Sequence, residues 1–294
     1  MFQKGQLTGY SNVLIQADLD FLKYQIKNQG VKLIAGTGLH KLISECEHFL
    51  AIPSGEEFTY DVLKPLLVLY SLSDTVRTLW MKGKKYATQL GAMNSGDFSY
   101  GVKGSSHDKY FKDFEFELFS AAFLVENNVD VELPQHTEGN DIMFGQLEIQ
   151  CKHPEVLSRD NMDDYLRAFQ SSLVKSNKYG VFGVGSDDFL GFTPEQFGFD
   201  DKLILANYQR TLQVEDDVLR HIFDDVLRFC PRVLGVYILN THFLFSEKMG
   251  LTLSKTSNAV FCLRPNAKEV PESMHREAYK ILYPFNSKPA IRSY

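Results

Sequence analysis

No run of about 18 uninterrupted apolar residues occurs in the chain, so no membrane-spanning helix is expected. The opening residues, MFQKGQLTGYSNV, lack the basic, apolar and small-residue order of a secretory leader, and the expectation is a cytoplasmic protein. Cysteine is scarce. Cys46, Cys151, Cys230 and Cys262 lie far apart and form no CxxC pair, which signals neither a zinc knuckle nor a disulfide framework; reduced, mostly buried thiols are expected. Several catalytic signatures are missing as well. The glycine pairs Gly36/Gly38 and Gly183/Gly185 continue into neither GxGxxG nor GxxxxGK[ST], and no GxSxG, HExxH or HxE with PCxxC is present. Nucleotide cradles, serine hydrolases, zincins and zinc deaminases all lose their anchors. An excess of positive charge is also absent. A net charge of −6 argues against indiscriminate coating of nucleic acid, which runs on many Lys and Arg contacts to phosphates.

What remains is an ordinary globular balance, 44% hydrophobic and 23% charged, over 294 residues. That length allows two domains, taken here as a helical region over 1–100 and a sheet-containing domain over 101–294. Apolar positions recur at helical spacing in Leu19, Leu22, Ile26 and in Leu39, Leu42, Ile43. The longest such run is 61–82, with Pro65 in its first turn and Leu66, Leu69, Leu72, Val76, Leu79 and Trp80 on one face. A Gly, Ser and Asn-rich stretch, 91–106, reads as a linker or loop. After it come a helix over 110–126, a strand over 129–133, and two strands, 140–144 and 146–152, joined at Gly145 as a hairpin. A helix over 162–176 opened by Asn161 and a strand over 179–184 follow. Further strands are expected at 203–208, 233–245 and 259–263, with helices at 215–229 and 274–282. The class is mixed α/β.

The chemistry concentrates in GNDIMFGQLEIQCKHP, residues 139–154. Side chains alternate along a strand, so Glu148, Gln150 and Lys152 share one face and Leu147, Ile149 and Cys151 the other. Across the hairpin, Asp141 can reach the polar row. Carboxylates beside an ammonium are what metal-dependent phosphodiester hydrolysis requires: hard oxygen ligands for Mg²⁺ or Mn²⁺ and a cation for developing charge. A solvent-facing strand shows polar residues at alternate positions too, so the row alone does not decide.

The surrounding pattern resembles the PD-(D/E)xK superfamily, the restriction-endonuclease-like nucleases. FEFELFSAAFLVENNVDVEL, TEGND and LEIQCK follow in the family's order of helix acid, strand Asp and (D/E)-x-K strand, over about a quarter of the chain. The resemblance implies a restriction-endonuclease-like central mixed sheet flanked by helices. By position Glu117 matches the helix acid, Asp141 the metal-bridging Asp and Lys152 the motif lysine. The resemblance also puts the main-chain carbonyl of Cys151 on the metal, its thiol turned into the core. Glu115 is a rival to Glu117, since it too has apolar neighbours. The departure is Gln150, where the family carries an acid; with Asp141, either Gln150 itself or Glu148, one pleat earlier, is expected to hold the metal.

These residues lead to the expectation of a metal-dependent nuclease acting on nucleic acid, with DNA as substrate, and a homodimer is an option that no residue signals directly. A fold retained for binding without cleavage, after loss of the acid at Gln150, is the alternative; a helical interaction protein with an accidental polar strand face is a third. A basic strip (Arg77, Lys82, Lys84, Lys85, continued by Lys103, Lys109 and Lys112) is a candidate backbone guide or a solvated face. Arg167, Gln170 and Lys175 on the later helix, and His153 after the strand, are candidates for facing the substrate.

Overall fold

The computed structural model of the chain describes residues 2–3, 10–36, 38–54, 56–58, 63–95, 108–135, 141–154, 158–185, 213, 216–222, 226–246, 250–261, 270–286 and 290–293. The expected strand at 203–208 and most of the 91–106 stretch lie outside them.

The N-terminal part is helical, as its periodicity requires. Ser11 caps α1 (Asn12–Asn28) by accepting from Leu14 N at 3.4 Å, and Ile15, Leu19, Leu22 and Ile26 form its buried stripe. In α2 (Gly38–Ala51) the stripe is Leu39, Leu42, Ile43 and Cys46. In α3 (Leu63–Met81) it is Leu66, Leu69, Leu72, Val76 and Leu79. Trp80 does not join that face as expected. It is 50% exposed and meets Phe21 edge-on at 6.1 Å. The short α4 (Ala87–Ala92) then leads toward α5 (Asp108–Glu126), on which α3 and α4 both pack.

Among the described residues six strands form one mixed sheet: β3 (Ile142–Phe144), β4 (Leu147–Lys152), β5 (Tyr179–Gly185), β6 (Val233–Ser246), β7 (Gly250–Phe261) and β8 (Ala290–Ser293), side by side in that order. The separate pair β1 (Phe2–Gln3) and β2 (Glu57–Phe58) stands apart. The expected hairpin is present: β3 and β4 are antiparallel, Ile142 opposite Ile149, and the turn uses Gly145 at φ 58°, a conformation glycine adopts without steric cost. Strands β4, β5 and β6 run parallel, and β6, β7 and β8 antiparallel. The expected strand at 129–133 shrinks to one bridge, Glu132 to Met143, with N···O distances of 2.9 and 2.8 Å. Counting on from that bridge, Pro134 falls opposite Asp141. Proline has no N–H to continue the ladder, so Asp141 stays outside it.

Helices cover both sheet faces. α6 (Arg159–Ser176) connects β4 to β5; Ser158, not the expected Asn161, caps it, accepting from Asn161 N at 3.2 Å. With the helical stretch 216–221 (α7), α6 buries Met162, Leu166, Phe169 and Leu173 against Phe182, Val184, Val236 and Ile238. On the opposite face Leu147, Ile149, Cys151, Val181, Tyr237 and Leu239 meet α5 and α8 (Glu272–Leu282). That second cluster is continuous with the stripes of α1, α2 and α3. None of the described helices is long and apolar enough to cross a membrane.

Tyr237 is fully buried and stacks on Phe285 at 3.9 Å between centroids, and its ring lies over Gly183 of β5. A Cβ at Gly183 would stand 2.3 Å from that ring. Gly183→Ala is therefore expected to cost about 1–3 kcal/mol in urea unfolding, through forced displacement of the tyrosine. Gly91→Ala in α4, where a Cβ meets open space, is expected to be neutral or to stabilise by up to about 1 kcal/mol. Equal effects at the two positions would show that the tyrosine does not depend on the bare backbone beneath it.

Candidate active site

The candidate site forms where β3 stops and β4 continues. Ile149 is the last β4 residue paired to β3, so Gln150 and Cys151 reach an edge with no strand partner on that side. Asp141 fills the gap. Its Oδ2 accepts the Cys151 main-chain N–H at 2.6 Å and a hydrogen of the Gln150 side-chain amide. In an extended residue N–H and C=O point to the same side, so the Cys151 carbonyl opens toward the same gap. The Cys151 thiol turns the other way, into the core, 3.6 Å from Tyr237 Oη. Burial lifts both that thiol and the tyrosine hydroxyl well above their ordinary pKa ranges, so neither ionises.

Across from this edge, α5 supplies Glu117, 6% exposed. Burial raises its carboxyl to about 9; the charges of Asp141 and Asp113 add to the rise, and Lys152 and the Gln89 side chain oppose it. Burial likewise raises Asp141 to about 6, with Asp113 adding, and the Cys151 N–H, Lys152 and Gln150 opposing. Glu117, Asp141 and Lys152 therefore lie within one another's electrostatic reach. Asp113, one helical turn before Glu117, also accepts the His153 main-chain N–H at 3.3 Å. It was not among the expected site residues. Its signal was legible: like charges at i and i+4 on one helix repel, and a chain keeps such a pair only with something to offset it.

Other expected residues are placed elsewhere. Glu148 is 2% exposed, and its Oε1 is bound to Lys178 Nζ at 2.7 Å, so its charge is already matched away from Asp141. Gln150 is beside Asp141 but as a hydrogen-bond donor, because an anionic neighbour draws the amide N–H; this orientation is not that of a metal ligand. Glu115 is half-buried on the same helix, and the acid that feels the charges of Asp141 and Lys152 is Glu117. Gln170 accepts the Arg232 main-chain N–H at 2.8 Å, and Arg167 lies 5.8 Å over the Phe229 ring, both on the α6 face. Lys175 is exposed there. The basic strip is interrupted. Arg77 pairs with Asp18 at 2.7 Å and Lys84 pairs with Asp130, while Lys82 and Lys85 stay exposed and Lys103 lies outside the described residues.

Among the described residues no three of His, Cys, Asp and Glu gather as a ready-made metal cluster. The donors at the gap are two carboxylates, Asp141 and Glu117, and the Cys151 carbonyl. An all-oxygen set with so few protein ligands suits Mg²⁺ or Mn²⁺, since such ions keep several waters and take the rest from substrate phosphate. A divalent cation there would also offset the burial and repulsion that push both acids upward.

Both acids hold their protons to higher pH in the folded chain than in the unfolded one, where they titrate near 3.8 and 4.5. Their contribution to stability is thus fully present at low pH and is lost as pH rises through about 6 for Asp141 and about 9 for Glu117. Glu117→Gln removes most of that loss. Calorimetry at pH 8 in EDTA should show a gain of roughly 1 kcal/mol or more, some 2–4 °C in melting temperature, and little gain at pH 4. A variant less stable than the native chain at pH 8 would contradict a buried ionisable acid at this position. Lys178→Met strands the Glu148 carboxylate and should cost about 1–3 kcal/mol in urea unfolding, with no change in any response to Mn²⁺.

Set against known proteins, the chain matches no family model, no curated protein and no solved structure.

Proposed function

We propose that the chain is a divalent-metal-dependent nuclease with a restriction-endonuclease-like sheet, hydrolysing phosphodiester bonds in DNA. One observation carries the reading: the carboxylate of Asp141 is fixed by the Cys151 N–H at a sheet edge that also presents Lys152, with the buried acid of Glu117 opposite. A mixed sheet with a parallel centre and helices on both faces supports it.

In this reading Asp141, Glu117 and the Cys151 carbonyl would hold Mg²⁺ or Mn²⁺, which would polarise a phosphoryl oxygen and acidify a water. The protein's own residues do the rest. The Cys151 N–H keeps Asp141 from rotating out of the gap, so the ligand is oriented before any ion arrives. Lys152 places an ammonium where negative charge grows on the phosphorus substituents and steers the attacking water. Loss of the proton from Glu117 accompanies ion uptake, since the buried acid is neutral near pH 7 and a ligand must be ionised.

A second reading has its own support. Gln150 donates to Asp141 instead of presenting a second carboxylate, which suits a nuclease-fold protein that binds nucleic acid or protein and does not cut. Plasmid nicking separates the two. The nuclease reading expects cleavage in Mg²⁺ or Mn²⁺, none in EDTA, and at least a ~100-fold loss in both Asp141→Ala and Lys152→Ala. Gln150→Glu should lower stability in EDTA by adding a further acid and raise Mn²⁺ affinity. Metal-indifferent binding of DNA without nicking, unchanged by these substitutions, would favour the binding module.

A further inference from the structure

One buried side chain of the N-terminal helices reaches the candidate site. Gln89 of α4 is 3% exposed, and its Nε2 donates to Pro134 O at 3.3 Å. The same side chain lies beside the Glu117 carboxyl and favours its charged form. The Oε1 is different: it is buried and has no donor. An acceptor left so costs about 1–3 kcal/mol, and that cost ends when a donor arrives.

The segment Gln89 grips is itself part of the site's frame. Pro134 follows the Glu132–Met143 bridge and stands opposite Asp141. Two further bonds tie this segment to the start of α4: Thr88 Oγ1 to Gln135 O at 3.3 Å and Gln135 Nε2 to Lys85 O at 3.4 Å. Thr88 shares the anchoring through its hydroxyl.

We propose that Gln89 is a positioning residue for the metal: clamped to Pro134 beside the Glu117 carboxyl, it fixes the segment opposite Asp141, and its Oε1 accepts a hydrogen from a water on the bound divalent cation. This rests on the metal-dependent reading above. It also gives the helical N-terminal region a part in the site that does not require it to touch substrate.

The test is calorimetric titration of Mn²⁺ into the full chain, with circular dichroism confirming that each variant is folded. Gln89→Leu should weaken Mn²⁺ binding about tenfold, within the range typical for residues that orient metal ligands. Thr88→Ala should stay within about twofold of the native chain. Gln89→Asn, an amide one carbon short, should fall on the side of Gln89→Leu and serves where the leucine variant does not fold. In a Glu117→Gln background the effect of Gln89→Leu should shrink, since the two then no longer act through one contact. If Asp141→Asn abolishes Mn²⁺ uptake while both Gln89 variants bind as the native chain does, Gln89 is only a structural clamp and the inference fails alone. A native chain that takes up no Mn²⁺ overturns the metal reading and this inference together.

Discussion

The Cys151 main-chain N–H and the Asp141 carboxylate meet at 2.6 Å where an antiparallel ladder has run out, and the rest of the site is arranged around that contact. A strand edge normally offers its N–H and C=O to another strand or to water. Here β3 is too short to take them, and Pro134 on the far side cannot extend the ladder to bring Asp141 in. The acid is left free to turn its side chain onto the neighbouring main chain. A backbone that would otherwise be a plain sheet edge becomes a place where a carboxylate is held and a carbonyl is exposed beside it.

Holding charge in this way is costly to the fold. Glu117, Asp141 and Asp113 repel one another in surroundings that already disfavour ionisation, and Lys152 offsets only part of that. Glu117 carries this cost at a position 6% exposed on α5. The contrast with Glu148 is instructive. That acid is buried as deeply but is matched by Lys178, so its charge is neutralised within the fold. Glu148 is thus closed by a protein cation, while Lys152 offsets only part of the charge of Glu117 and Asp141.

Much of this was legible in the sequence, and the reasons for the misses are specific. Helical periodicity located α1, α2, α3 and α5, a short helix was expected near α8, and period-two alternation together with Gly145 located the hairpin and the inward thiol of Cys151. Alternation also put Glu148 and Gln150 on one face, which is correct, but a shared face says nothing of what lies above it. Lys178, which claims Glu148, is distant in sequence and meets it through the parallel pairing of β4 with β5. Gln89 was invisible for a similar reason: α4 is too short to show a period, and its contact with Pro134 spans a segment of no regular structure. The strand expected at 129–133 keeps only the Glu132–Met143 bridge, and the proline at 134, in plain view, stops that ladder from running on toward Asp141.

The apolar cluster that joins α1, α2 and α3 to the sheet through α5 has a bearing on how the chain can be divided. A scissile link placed near residue 100 would give two pieces each presenting the flank that α5 now covers or occupies, and neither would own a complete interior. Shuffling the first hundred residues as an interchangeable cassette would therefore fail on packing grounds alone.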